Sequence, residues 1–308
     1  MAQVPTGKNI ELVLIDTMIA ALQKYRDDQS AAARAAAVLQ AKEADPFFAD
    51  KKTKRLAEFF FRTGYFIVKM QEKTGGSYKL AKQIWAGRAV TLDFILQFRK
   101  KSNADGFSYP LTELDAAARN TLHSLCQALQ AKEWLSFEFQ KDTLEIRNIA
   151  RGEEKNYLTG GWAEDVTRYL IAKTLHDSSH PSARIWQDIQ LKPADPADAS
   201  LHNMQLDSLV EFPDRVYIFE TKSGFVLNID KWVDRARLFG QAPNHFITCC
   251  ADETLNPMIF KPFLLFALPR LEEQFRELLE NDFPSPEKTP EPAKKAATPA
   301  KKASGKTA

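Results

Sequence analysis

Four residues in the second half of the chain have the types and the spacing that phosphodiester hydrolysis requires. Glu220 and Lys222 end an apolar run as Glu-Thr-Lys, and Asp207 begins a second apolar run shortly before it. Glu164 lies further upstream, in a stretch whose apolar residues have helical spacing. Acids on adjacent strands hold a divalent metal, and a lysine beside them stabilises the negative charge of a transition state.

The strand that carries Glu220 and Lys222 is expected to be buried. Period-two geometry places both residues on one face, and the preceding residues at 216–219 are apolar on both faces. Charged side chains at the end of a buried strand are costly unless they are paired or bind a metal. We therefore expect Asp207 and Glu220 to hold the metal, with Glu164 ligating it directly or through water. Lys222 is expected to orient the attacking water.

Each part of this pattern is weak alone, because alternating opposite charges also occur on exposed strands. The order of the parts and their apolar strands make the combination more specific. No competing site is visible: the five His and three Cys have no metal-ligand spacing, and the chain has neither a Walker A loop nor a Gly-x-Ser-x-Gly elbow.

The elements that must position these residues follow an α/β pattern from residue 157 onward. Apolar periodicity and turn residues predict strands at 185–191, 206–211, 215–222 and 244–250, and helices at 162–175, 229–239 and 271–279. The expected fold class is α/β, with a restriction-endonuclease-like mixed sheet flanked by helices. This nuclease-like domain is predicted to span residues 157–283, with Thr159-Gly160-Gly161 preceding its first helix.

The first half of the chain predicts two further segments. Residues 1–108 form a mainly helical module, with helices at 10–26 and 30–44 and an aromatic-rich stretch at 54–70; residues 89–98 suit helix and strand equally. Residues 109–156 form a winged-helix-like connector, with a helix at 111–132 capped by Thr112 and a hairpin at 133–149. The connector suits nucleic-acid contact or a spacer between domains.

Composition places the chain in the cytoplasm and limits how it meets nucleic acid. No apolar stretch approaches the roughly 20 residues of a membrane helix, and no signal peptide is visible. Residues 284–308 read as a disordered Lys/Ala/Pro tail. The part from residue 292 onward holds five Lys and no acid, which accounts for the net positive charge: without it 37 basic residues face 40 acidic ones, a net charge of −3. Contacts with phosphate groups must therefore come from local basic patches, a bound metal or the tail.

The motifs resemble those of a known nuclease family of the PD-(D/E)xK type. Residues 157–165 (YLTGGWAED), 204–207 (MQLD) and 219–224 (FETKSG) are similar to motifs of CRISPR-associated ancillary nucleases that cyclic oligoadenylate activates. The resemblance implies Mg²⁺ or Mn²⁺ dependence, cleavage of DNA or RNA, and a role in antiviral defence. Position by position it assigns the catalytic roles to Glu164, Asp207, Glu220 and Lys222.

Three departures qualify the resemblance. Thr221 stands where the family usually has Cys, and Gln205 where it usually has Glu. Residues 1–100 read as helical, whereas the family has a Rossmann-like sensor, and only Thr74-Gly75-Gly76-Ser77 resembles it. The sequence therefore favours a metal-dependent endonuclease without the cyclic oligoadenylate activator. The alternative is an inactive nuclease fold that binds nucleic acid or protein. The oligomeric state stays open, with a homodimer among the options.

Overall fold

A computed structural model gives the structure of most of the chain. It describes residues 7–72, 78–101, 104, 106–180, 182–223, 229–251, 258–260 and 263–284. Among these residues, no helix combines the length and the apolar character needed to cross a membrane. The Gly-Gly motif at residues 74–77 and the predicted tail beyond residue 284 lie outside the described residues.

Helices and strands alternate along the chain. The helices are α1 (Gly7–Ala44), α2 (Pro46–Ala49), α3 (Lys54–Arg62), α4 (Lys79–Ala86), α5 (Arg88–Lys101), α6 (Ala116–Gln130), α7 (Glu153–Asn156), α8 (Trp162–Asp177), α9 (Ile229–Phe239) and α10 (Leu271–Asp282). The strands are β1 (Tyr65–Glu72), β2 (Gly106–Pro110), β3 (Ser136–Phe139), β4 (Thr143–Arg147), β5 (Arg184–Pro193), β6 (Met204–Glu211), β7 (Val216–Lys222), β8 (His245–Cys250), β9 (Met258–Phe260) and β10 (Phe263–Ala267).

A mixed sheet forms the centre of the α/β fold, as predicted. Its strand order is β1-β5-β6-β7-β8-β10-β9. The pairs from β1 to β7 are antiparallel, the two pairs that involve β8 are parallel, and β9 returns antiparallel to β10. Because β7 lies in the middle, helices cover both of its faces.

The two faces of the sheet pack into separate hydrophobic cores. On one face, Tyr217 and Phe219 of β7 pack with residues of α8, α10 and the helices before them. On the other face, Val216 and Ile218 pack with residues of α3 and α9. This double burial is the physical reason that β7 is apolar on both faces, as predicted.

The N-terminal segment is mainly helical, but it also contributes a strand to the central sheet. α1 runs without a break through both helices predicted at residues 10–26 and 30–44. The stretch at residues 54–70 divides into α3 and β1, because Gly64 turns the chain with a φ of 89°. A Cβ atom at Gly64 would lie 2.8 Å from a side-chain carbon of Leu201. Both the positive φ and this close approach therefore disfavour a larger residue at this position.

The connector contains the predicted helix and hairpin, with one correction at the start of the helix. The cap is Asp115 rather than Thr112: its carboxylate accepts the N–H of Ala118 at 2.8 Å. The helix starts later than predicted because a turn at residues 112–113 separates it from β2, a strand that the pattern does not predict. β2 pairs with β4, which makes the hairpin a three-stranded sheet in the order β2-β4-β3.

The helix that carries Glu164 is longer than predicted. α7, a π-helical turn at Tyr157–Gly161 and α8 follow one another directly, so Gly160 and Gly161 lie inside a helical run rather than before it. The undecided segment at residues 89–98 is helical and belongs to α5. The predicted strands from β5 to β8 and the helices α9 and α10 are confirmed, whereas β9 and β10 were not predicted.

The central sheet contains strands from more than one of the predicted domains. β1 belongs to the segment at residues 1–108, yet it pairs with β5 of the segment at residues 157–283. α4 likewise packs on α8. Independent domains with boundaries near residues 108 and 156 therefore stay a prediction, while the described residues form shared cores.

Candidate active site

The four predicted residues come from three elements that meet near the end of β7. Glu220 is buried, with 3% of its surface exposed, whereas Lys222 at the end of the strand keeps about a third of its side chain exposed. The Lys222 Nζ lies 3.4 Å from Glu220 Oε2. β7 thus places a buried acid, Glu220, beside a partly solvent-exposed cation, Lys222.

Asp207 is fixed beside Glu220 by a bond to the backbone. The paired residues of β6 and β7 end at Ser208 and Phe219. Beyond them, Asp207 Oδ2 accepts the backbone N–H of Thr221 at 2.7 Å. The side chain of Asp207 therefore takes the place of a carbonyl in the ladder, and its carboxylate cannot swing away from the strand end without leaving this N–H unpaired.

Two hydroxyl contacts hold the helix that carries Glu164 against the end of β7. The Thr221 hydroxyl donates to the Thr167 hydroxyl at 3.2 Å, and the Ser223 hydroxyl donates to the carbonyl of Thr159 at 3.0 Å. Thr159 lies in the π-helical turn, a type of irregularity that is frequent at functional sites. Glu164, in the first turn of α8, is thereby placed over the strand end.

The electrostatics show that the acids of the site share one environment. Burial first, and then the charges of Asp207 and Asp188, raise the pKa of Glu164 to about 7 from its ordinary value of 4.5. Burial and the charge of Asp207 likewise raise the pKa of Glu220, although Arg235 and Lys222 oppose the shift. The charge of Asp207 thus acts on both glutamates in addition to their burial, so the structure brings the predicted acids within electrostatic range of one another.

Asp188 is an acid of this cluster that the sequence interpretation missed. It lies in β5 with a φ of 52°, and the register of β5 with β6, in which Gln187 pairs with Ser208 and Ile189 with Leu206, places it opposite Asp207. The register of β5 with β1 shifts at this position, so Asp188 lies in an irregularity of that pairing. Aspartate tolerates this left-handed backbone better than most residues, and a polar residue inside an apolar strand was the available signal.

Two buried arginines were also missed. Arg235 of α9 forms an ion pair with Glu220, and both residues are buried. Arg168 of α8 lies 3.7 Å from Glu164 and 2.7 Å from Asp165. The spacing of Glu164 and Arg168, one helical turn apart, is visible in the sequence. Nothing near Arg235 in the sequence points to Glu220.

The donor set suits a hard divalent cation, but its present geometry is not that of a closed metal site. Glu164, Asp207 and Glu220 offer only oxygen atoms, which Mg²⁺ and Mn²⁺ prefer. Burial and the charge of Asp207 raise the pKa values of Glu164 and Glu220, so a cation beside these two acids would favour their ionised forms. Within the described residues, however, no three His, Cys, Asp or Glu side chains converge on one ion. The guanidinium of Arg235 occupies one oxygen of Glu220 instead.

A basic cleft leads to the guanidinium of Arg235. Its volume is about 520 Å³, and its lining includes Lys231, Arg237 and His202 together with Arg235 itself. Asp234 is the acid among the lining residues. The cleft lies on the α9 side of the sheet, and Arg235 is the lining residue that pairs with Glu220 of the acid cluster.

Comparison with known proteins finds similarity in fold only. No protein-family model matches the sequence, and no curated protein shows significant similarity to it. Among solved structures, protein VC1899 from Vibrio cholerae aligns with a TM-score of 0.46 and 14% identity, over 73% of this chain and 60% of that one. Can2 from Sulfobacillus thermosulfidooxidans, solved in complex with cyclic tetra-adenylate, aligns with a TM-score of 0.48 and 11% identity, over 72% and 59%. This chain thus spans about three fifths of the length of either protein.

Proposed function

We propose that the protein is a metal-dependent nuclease that hydrolyses phosphodiester bonds of DNA or RNA. The observation that carries the proposal is the acid cluster of Glu164, Asp207 and Glu220, with Lys222 at the open end of β7. We place its action in the cytoplasm, in bacterial defence or nucleic-acid processing. A second copy of the chain would supply the second cut of a duplex.

Asp207 and Glu220 would hold Mg²⁺ or Mn²⁺, with Glu164 as the third ligand. When bound, such an ion polarises a phosphodiester and lowers the pKa of a coordinated water. Asp207 is suited to a fixed position because one of its oxygens is anchored to Thr221. Lys222 is partly exposed, so its ammonium can reach both the substrate phosphate and the attacking water.

Electrostatics support the need for a cation at this place. Near Asp207, Glu220 is buried and Glu164 is partly buried, and the raised pKa of each shows that its charged form is not fully compensated. A divalent ion reverses this balance, because it favours the ionised form of every carboxylate that it touches. Binding of the ion is therefore expected to stabilise the fold.

The basic cleft supports the approach of a nucleic-acid strand. Lys231, Arg235 and Arg237 line it, and Arg235 contacts Glu220 of the acid cluster, although the body of the protein carries a net negative charge. Local cations of this kind can follow a phosphate backbone without a globally basic surface. Binding is thus expected to weaken steeply as the salt concentration rises.

One observation favours a second candidate function, an inactive nuclease fold that binds nucleic acid or protein. The buried ion pair between Arg235 and Glu220 neutralises a proposed metal ligand from within the protein. Gln205, where the resembling family usually has an acid, is exposed and adds no charge. A protein of this second kind would bind nucleic acid equally well with and without a divalent ion.

Cleavage of labelled single- and double-stranded DNA and RNA tests the proposal. Reactions in Mg²⁺, Mn²⁺ and EDTA would compare the wild type with Asp207→Ala and Lys222→Ala. The matched controls are Asp214→Ala and Lys192→Ala, at exposed positions outside the cluster. A parallel set with cyclic tetra-adenylate examines the activator that the sequence disfavours.

Cleavage that requires a divalent ion and is lost in both cluster variants, but not in the controls, is the expected result. Cleavage that persists in Asp207→Ala would place the active site elsewhere. Absence of any cleavage, with nucleic-acid binding that is equal in EDTA and Mn²⁺, would establish the inactive binding module instead.

A further inference from the structure

A second cleft lies away from the basic cleft, where the connector meets the nuclease-like segment. Its volume is about 480 Å³, within the range of small-molecule sites. α4, the end of α6, the π-helical turn and α8 contribute to its lining. Trp134 and Tyr157 form its aromatic part, with ring centroids 5.2 Å apart and planes inclined by 57°.

Trp134 is held rigidly at this cleft. Its backbone N–H donates to the carbonyl of Leu129 at 3.0 Å, and its backbone carbonyl accepts the N–H of Ala150 at 2.8 Å. Glu133, directly before it, has a φ of 61°, which turns the chain sharply between α6 and β3. The backbone that carries the indole is therefore fixed, and the ring contact with Tyr157 limits movement of the side chain, so a planar ligand would lose little free energy in ordering it.

Two exposed lysines supply positive charge beside the aromatic surface. Lys79 and Lys132 both line the cleft, and Lys132 Nζ lies 5.2 Å from the centroid of the Trp134 ring. A cation over an exposed aromatic ring is held more weakly than a nucleobase stacked on one. A base can thus replace the ammonium over Trp134, which frees Lys132 to bind the adjoining phosphate.

Small residues leave room for the base. Ala81, Ala128 and Ala131 belong to the lining and carry no side chain beyond Cβ. Asp165 also reaches the cleft, and its carboxylate can accept a hydrogen bond from an exocyclic amino group. The combination of a flat aromatic wall, two cations and one acceptor matches the chemistry of a nucleotide.

Polar contacts connect this cleft with the acid cluster. The Tyr157 hydroxyl donates to Asp165, and Asp165 accepts a hydrogen bond of 2.7 Å from Arg168. Arg168 also donates to the carbonyl of Asp207 at 3.4 Å and lies 3.7 Å from Glu164. A ligand in the cleft therefore contacts a network that ends at two of the proposed metal ligands.

We propose that the cleft binds one nucleotide of the substrate strand. The base stacks on Trp134, Lys79 and Lys132 bind its phosphate, and the strand continues from there toward Glu164 and Asp207. The inference rests on the proposed function, because the nucleotide belongs to the strand that the nuclease cuts. It makes Trp134 a residue that positions the strand for cleavage.

Titration of nucleotides into the full chain in EDTA tests the cleft without any cleavage. The ligands are the ribonucleoside 5′-monophosphates, with ribose 5-phosphate as the matched ligand without a base. We expect the nucleotides to bind about ten-fold more tightly than ribose 5-phosphate, and Trp134→Ala to remove most of this difference. Trp85→Ala is the control, because Trp85 is also partly buried beneath a cation, Arg88, but does not line the cleft.

Lys132→Glu is a second variant that keeps the aromatic wall intact. Lys132 is exposed, so this change should leave the thermal midpoint unaltered while it weakens nucleotide binding. A short oligothymidylate distinguishes a strand from a free nucleotide as the natural occupant. Its affinity should fall about ten-fold in Trp134→Ala and remain unchanged in Trp85→Ala.

Equal binding of nucleotides and ribose 5-phosphate, or nucleotide affinity that does not change in Trp134→Ala and Lys132→Glu, overturns the assignment of the cleft. Nucleotide binding that depends on Trp134, combined with oligothymidylate binding that does not, overturns the placement of the substrate strand and makes the occupant a free nucleotide. The titration needs neither metal nor cleavage, so its failure is distinguishable from failure of the nuclease proposal.

Discussion

Two buried glutamates lie at opposite ends of neighbouring strands and differ in what surrounds them. Glu211 ends β6 and is 2% exposed, whereas Glu220 lies near the end of β7 and is 3% exposed. Glu211 accepts hydrogen bonds from Arg55 at 2.9 Å and from the indole N–H of Trp186 at 2.8 Å. Arg184 lies 3.6 Å away. Both oxygens of Glu211 thus face donors.

Glu220 also has cations beside it, Arg235 and Lys222, but it shares its surroundings with another acid. Burial first, and then the charge of Asp207, raise its pKa against the effect of both cations. Burial is therefore equal at the two ends of the sheet, and the composition of the neighbourhood is not. A buried acid surrounded by donors fits a structural role, and a buried acid beside further acids fits a site that receives a cation.

The largest contrast is expected in catalysis. If the proposed nuclease is correct, Glu220→Gln should lower the cleavage rate by about 10³-fold, because it removes a charged metal ligand. Glu211→Gln should change it by no more than about three-fold at a temperature where the variant is folded. Single-turnover cleavage of a labelled strand measures both, and equal losses would remove the distinction between the two ends.

The two substitutions should affect the free energy of unfolding in the reverse order, with the larger loss in Glu211→Gln. Glu211→Gln is expected to lower the free energy of unfolding by about 3 kcal/mol, since an amide group would then face the N–H of Trp186 or Arg55. Glu220→Gln should cost about 1 kcal/mol, because loss of the charge also relieves repulsion from Asp207. Urea unfolding in EDTA compares them. A larger loss for Glu220→Gln would mean that its pair with Arg235 is mainly structural.

Arg235→Met tests whether the guanidinium takes the place of a metal. In EDTA the variant should lose about 2 kcal/mol of stability, because Glu220 then lacks its buried partner. Mn²⁺ should raise its thermal midpoint by about 4 °C more than that of the wild type. Arg237→Met, at an exposed position on the same helix, is the matched control. An equal rise of the thermal midpoint with Mn²⁺ in the wild type and in Arg235→Met would contradict the idea that the guanidinium takes the place of the metal.

The smallest expected effect is a pH dependence from Glu164. Its pKa in the folded protein is about 7, above the ordinary 4.5, so the folded state binds the proton more tightly than the unfolded state. The resulting stabilisation is complete below pH 4.5 and is lost as the pH rises through 7. We expect a loss of about 1 kcal/mol in EDTA over this window, reduced by partial exposure of the side chain.

Glu164→Gln should flatten this part of the profile, whereas Glu138→Gln, at an exposed position in β3, should leave it unchanged. Urea unfolding at several pH values in EDTA measures the slope. A slope that is the same in Glu164→Gln as in the wild type would mean that other groups of the acid cluster carry the titration.

The local sequence pattern was sufficient to predict much of the fold around the site. Alternating apolar residues predicted β6 and β7 and the burial of β7 on both faces, and turn residues predicted their hairpin. Gly240 marked the end of α9, where its N–H bonds the carbonyl of Ala236. β1 was missed because its residues continue an aromatic run, and only the left-handed backbone of Gly64 separates it from α3.

The sequence by itself determined that Asp207, Glu220 and Lys222 lie on adjacent strands, because strand period and a tight turn are local properties. Only the tertiary structure decided that Asp188 and Arg235 share their environment. The distorted backbone at Asp188 accompanies a register shift in the pairing of β5 with β1, and Arg235 reaches Glu220 because α9 packs beneath the sheet. Contacts of this kind depend on packing between segments, which no local spacing encodes.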